Sequence, residues 1–217
     1  MRRFTAFLVL AALVVALGPA PVRAQDGKYE RYELGVEIGT FDHVTVFDVA
    51  GGSKTYYYLP LKITNDTGKE RDVVIHVKAT TDSQEWVKDD SEEGGRLEPR
   101  TYVGSTDPAA LKALRKKLRK PELLALTDLS GKIAPGASKD GVAIFHNLDP
   151  EMDRMDVRIY GLVDPIDDRG TVKAVERKAL SLKYERLGDE VRHTEDLLRL
   201  MKKEWVVESR RELPRRD

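Results

Sequence analysis

The run from Tyr56 to Thr64 alternates strictly enough to dictate what this chain can build. Tyr57, Leu59, Leu61 and Ile63 fall in one phase, and Tyr56, Tyr58, Lys62 and Thr64 in the other. A side-chain period of two belongs to an extended strand, whose successive Cβ atoms leave opposite faces. Such a strand has to bury its apolar phase against a second layer.

The period recurs along the chain. Tyr32 to Ile38 sets apolar residues on every second position, with acids between them. Val44 to Phe47 is a shorter candidate, closed by the turn residues Gly51-Gly52-Ser53. Arg71 to Thr80 holds Val73, Ile75, Val77 and Ala79 in phase, and Asn65-Asp66-Thr67-Gly68 separates it from the Tyr56 run. Two alternating runs around a short polar turn predict a β-hairpin. After Pro135-Gly136, strands are expected at Val142 to His146, Asp156 to Val163 and Val172 to Tyr184.

Two segments read as helices. Asp107-Pro108 supplies an N-cap and a proline for the first turn. Leu111, Leu114 and Leu118 form an apolar stripe there, and Lys112, Arg115, Lys116, Lys117, Arg119 and Lys120 cover the rest up to Pro121. Upstream, Asp82, Glu85, Asp89, Asp90, Glu92 and Glu93 accumulate in what reads as an exposed loop, close enough in sequence to neutralise the basic helix. Residues 81–131 are therefore expected as a helical insertion. Near the end, Leu197, Leu198, Met201 and Trp205 share one side of a helix over Asp196 to Val206. That helix is expected to dock through Leu197, Met201 and Trp205, with Glu208 to Asp217 as a frayed polar tail.

The expected organisation is residues 1–24 as a signal peptide, 25–187 as a β-sandwich domain and 188–217 as the C-terminal helix and tail. Arg2-Arg3, the apolar stretch Phe4 to Leu17, and the small residues before Ala24 are the parts of a secretory leader, with cleavage after Ala24. The apolar stretch is too short for the ~20 residues of a membrane-spanning helix. No second long apolar segment follows, so stable membrane insertion after cleavage is not expected. The chain holds 37 basic and 37 acidic residues; the leader takes three of the bases and no acid, leaving a net −3. That balance offers no bulk attraction for nucleic acid or anionic lipid. Cysteine is absent, so no disulfide supports an exported core.

Tyr57-Tyr58-Leu59-Pro60-Leu61-Lys62-Ile63-Thr64-Asn65, with Ile133-Ala134-Pro135-Gly136 and Gly141-Val142-Ala143-Ile144-Phe145, resembles the immunoglobulin-like β-sandwich domains of exported bacterial proteins. The resemblance implies a two-sheet architecture and no particular activity. The cysteine–tryptophan–cysteine core of antibody domains is missing.

Candidate chemistry is sparse. His43, His76, His146 and His193 stand apart in sequence, although His76 and His146 fall in strands that could meet. Asp149, Glu151, Asp153 and Asp156 alternate in a loop and are the candidate calcium ligands, although Arg154 and Tyr160 occupy the glycine and glutamate positions of an EF-hand loop. Tyr56 and Tyr58 share a strand face and are the candidate ligand-binding pair, for a glycan or a partner protein; packing beneath the insertion is the alternative. Asn65-Asp66-Thr67 matches a glycosylation sequon. No nucleophile elbow or phosphate loop is present. The expectation is an exported, non-enzymatic sandwich, without a cofactor, that contacts protein or glycan in the periplasm or outside the cell. The alternatives are a carbohydrate-binding module built on the two tyrosines and a secreted hydrolase with an acidic site.

Overall fold

A computed structural model describes residues 32–47, 51–88, 95–167, 174–186 and 198–212. The expected leader, the cleavage site, His193 and residues 213–217 lie outside the described residues. In chain order the strands are β1 Gly35–Ile38, β2 Asp42–Phe47, β3 Ser53–Thr64, β4 Arg71–Val73, β5 His76–Lys88 and β6 Gly95–Val103. Helix α1 is Pro108–Lys117. Then come β7 Leu124–Ala125, β8 Gly131–Ile133, β9 Ser138–His146, β10 Arg154–Tyr160, β11 Ile166–Asp167, β12 Ala174–Glu185 and β13 Arg199–Glu212.

The protein is mainly β, and two larger sheets enclose one core. In the first, β3 pairs with β9, β9 with β7, and β1 and β2 share the other edge of β3. In the second, β12 lies between β13 and β10, and β5 and β6 continue beyond β10. Leu59, Leu61, Ile63, Ala143 and Phe145 of the first sheet meet Val77, Ala79, Val157, Ile159, Leu180 and Leu182 of the second. These are the apolar phases legible in the sequence. A small third sheet joins β4 to β8.

The hairpin expected from the Tyr56 and Arg71 runs does not form. β3 pairs with β1, β2 and β9, whereas β5 pairs with β6 and β10. The chain between them crosses from one sheet to the other, which lets both apolar phases face a common core. Nor do residues 81–88 and 95–100 form a loop, while Asp89, Asp90, Glu92 and Glu93 lie outside the described residues. β5 runs on to Lys88 and β6 returns from Gly95, a long antiparallel arm of the second sheet. The segment 81–131 therefore holds the outer part of β5, all of β6 and the short β7 as well as α1.

The C-terminal helix is also corrected: residues 199–212 are β13, the edge partner of β12. Trp205, Val206 and Val207 favour extended backbone, and pairing along the open edge of β12 outcompetes a short helix that is marginal by itself. Trp205 does pack against the core, but Met201 is 52 % exposed rather than docked. Leu197 lies outside the described residues. Among the described residues no helix is long and apolar enough to cross a membrane.

Candidate functional site

Helix α1 lies on the outer face of the first sheet and covers the tyrosine pair. Asp107 caps it: Oδ1 accepts from the Ala109 and Ala110 amides at 2.9 Å each. Pro108 opens the helix, as the sequence required. Ala110, Leu111 and Leu114 then press on Tyr56, Tyr58, Val142 and Ile144, with Leu123 and Ala125 closing the cluster. β3 is thus buried on both faces, with its leucines in the sandwich and its tyrosines under the helix.

Tyr56 and Tyr58 are 5 % and 2 % exposed. The Tyr56 hydroxyl donates to Asp107 Oδ2 at 3.2 Å, and its ring meets His146 edge-on at 5.0 Å. The Tyr58 hydroxyl donates to Asp42 Oδ2 at 2.8 Å. Lys117 Nζ donates to the same oxygen at 2.5 Å and to the His43 carbonyl at 2.7 Å, tying the end of α1 to β2. Burial works to raise the Asp42 pKa, but the bonds from Lys117, the His43 amide and Tyr58 outweigh it and hold the carboxyl below its usual value. Burial, then Asp42, pushes the Tyr58 phenol up. Burial, then Asp107, does the same at Tyr56. Both phenols stay neutral donors, and neither ring face is open for stacking. The pair anchors a helix.

The acidic loop does not converge either. Asp149 accepts from Ser83 Oγ at 2.8 Å and from the Glu151 amide at 2.9 Å. Asp156 lies on β10 and accepts from Ser181 Oγ at 2.6 Å and Arg158 Nε at 3.0 Å. Asp153 sits 3.7 Å from Arg186 Nε. Among the described residues, no three His, Asp or Glu side chains gather as a metal site, and Asp149, Glu151, Asp153 and Asp156 form none. His76 and His146 lie in different sheets, His76 beside Tyr160 and His146 beside Tyr56. Asn65 of the sequon is fully buried, and its Nδ2 donates to the Lys69 and Ile133 carbonyls at 2.7 Å. That nitrogen holds a turn and is closed to a glycan.

The densest polar cluster is one the sequence reading missed. β13 carries an extra residue, Glu208, where its register against β12 slips between Arg177 and Lys178. A bulge re-aims its side chain. On the outer face of the second sheet the Glu208 carboxylate accepts from Arg158 Nη1 at 2.7 Å and from the Tyr160 hydroxyl at 2.5 Å, and pairs with Arg177 Nε at 3.3 Å. Arg177 also stacks over Tyr160, 4.9 Å from its centroid. Burial opposes ionisation of Glu208, but the Tyr160 and Arg158 bonds prevail and lower its pKa. Burial, reinforced by Glu208, pushes the Tyr160 phenol up to about 12. One carboxylate thus binds three strands together. The chain matches no protein-family model, no curated protein and no solved structure.

Proposed function

We propose that the chain is an exported, non-enzymatic sandwich of immunoglobulin-like topology that acts by contact with another protein of the cell envelope. The observation that carries this reading is the long edge strand β13, which keeps Leu200, Met201 and Val207 43–52 % exposed. Apolar side chains displayed on a sheet edge suit pairing with an extended segment of a partner. The strand order supports the immunoglobulin-like class. In the arrangement of ABED against CFG, β3 stands as B, β9 as E, β5 as C, β10 as F and β12 as G. β7 takes the place of D but runs parallel to β9, a departure from that pattern.

Three carboxylates with lowered pKa hold elements together: Asp107 caps, Asp42 latches and Glu208 bridges strands. This favours contact over turnover. The glycan reading needs open tyrosine faces, and both rings lie under α1. Export rests on the leader pattern, and the exported chain is expected to begin at Gln25.

The test is a photo-crosslinker at Met201 in the native envelope. It should trap a discrete protein that the same group at Lys132, on β8, does not trap. Leu200→Lys with Met201→Lys should abolish that capture with the melting temperature unchanged. Equal capture from both positions, or turnover of a glycan, ester or peptide by the purified chain, would overturn the reading.

A further inference from the structure

The sequence placed an acidic stretch beside a basic helix; Asp89, Asp90, Glu92 and Glu93 lie outside the described residues, and the fold carries the described acids away from the helix. Asp82, Glu85 and Glu98 belong to the β5–β6 arm of the second sheet, whereas α1 lies on the outside of the first. Those acids are engaged on their own side. Asp82 accepts from the Asp153 and Arg154 amides, Glu85 pairs with Arg100 at 3.9 Å, and Glu98 bonds Arg96.

The six bases between Lys112 and Lys120 fall into two sets. Arg115 donates to the Leu123 carbonyl, Lys117 to Asp42 and Lys120 to Asp140, so these three fasten the helix to the body. Lys112, Lys116 and Arg119 are exposed and make no side-chain bond or ion pair among the described residues. Lys112 and Lys116, four residues apart, share the helix face away from Leu111 and Leu114, and Arg119 follows in the turn just past the C-cap Leu118, at φ +55°. The helix carries no acid, and Glu122 is the one acid between Pro108 and Leu126.

We propose that this basic surface docks the protein reversibly on a bilayer containing anionic lipid, through the phosphates of its headgroups. The apolar face of α1 is already occupied by Tyr56 and Tyr58, so the contact is electrostatic and involves no insertion. A net charge of −3 does not forbid it, because attraction to a charged surface is decided within a Debye length, ~8–10 Å at ordinary salt. Two of the three bases stand on the outer face of a helix and the third in the turn that ends it, a convex surface that suits a plane. Single-stranded nucleic acid is instead held in grooves with aromatic platforms, and α1 carries no aromatic residue.

Every described element and both apolar clusters lie within residues 32–212, so a chain begun at Gln25 keeps the fold. That chain is mixed with phosphatidylcholine vesicles, with and without phosphatidylglycerol, at about 0.1 M and about 1 M salt. It should sediment only with the anionic vesicles and only at the lower salt. Lys112→Gln, Lys116→Gln and Arg119→Gln should each weaken binding about fivefold, and the triple variant about a hundredfold. The melting temperature should not move, since all three side chains are exposed, and Lys132→Gln should bind as the parent does. Binding to neutral vesicles, undiminished binding by the triple variant, or no binding at low salt would overturn the proposal. Tighter binding to a soluble polyphosphate than to the vesicles would also overturn it and make the partner a polymer.

Discussion

Gly161 is read from sequence as one more member of an alternating strand, yet it sits just after β10 at φ +85°. A Cβ there would fall 2.0 Å from the Val74 carbonyl oxygen. Gly51 has nearly the same backbone, φ +83°, with nothing within 4 Å of its absent Cβ. The pair separates backbone strain from collision. Gly51→Ala should cost about 1–2 kcal/mol, the left-handed penalty alone. Gly161→Ala should cost well beyond that, because the backbone between β4 and β5 must move. Urea midpoints measure both, and equal losses would contradict the crowding. Alternation predicts which side a residue faces, whereas a carbonyl brought in from eighty-odd positions upstream leaves no mark on the local pattern.

α1 and β13 differ in how much of each element was local. A side-chain cap, a proline in the first turn and leucines at helical spacing all lie within a dozen residues, so α1 was legible before the fold was known. Its docking leaves Leu114 fully buried. Leu114→Ala should therefore cost about 2–5 kcal/mol in denaturant unfolding. A loss below 1 kcal/mol would mean that the helix contributes little to the fold. β13 misled for an arithmetical reason. Leu197, Met201 and Trp205 stand four apart, and four residues satisfy one face of a helix and one face of a strand alike. Two bulges then break the strand's own phase, at Met201 and at Glu208. The first leaves Met201 exposed; the second turns Glu208 toward Arg158 and Tyr160.

Across the whole molecule, ionisation contributes to stability with a definite sign. Glu208, Asp42, Asp107 and Asp149 are all held below the ordinary carboxylate range. At Asp107 the largest cause is the bond from the Ala110 amide, and at Asp149 the bond from the Glu151 amide. A depressed acid stabilises the fold above its unfolded value, near pH 4, and that contribution disappears as pH falls through the folded value. His76 is lowered as well, by burial and then by Lys78 and Arg177. It resists protonation when folded, so stability declines as pH drops past its unfolded value of about 6.5. The melting temperature should be level between about pH 7 and 9, dip gently below about 6.5 and fall steeply below about 4. His76→Gln should remove the gentle dip, and Glu208→Gln should soften the steep one. A steep fall already complete at pH 5 would contradict these assignments.

Sequence alone determined the β class, the apolar phases of β3, β5, β10 and β12, and the cap and stripe of α1, because each depends on neighbours a few residues away. Only the tertiary structure decided which strands pair, that Tyr56 and Tyr58 lie covered, that Asp149 and Asp156 face different partners, and that β12 is edged by a strand. Sheet partners are chosen by burying two apolar faces at once and by completing open ladders. Both conditions join residues far apart along the chain, and no local spacing records them.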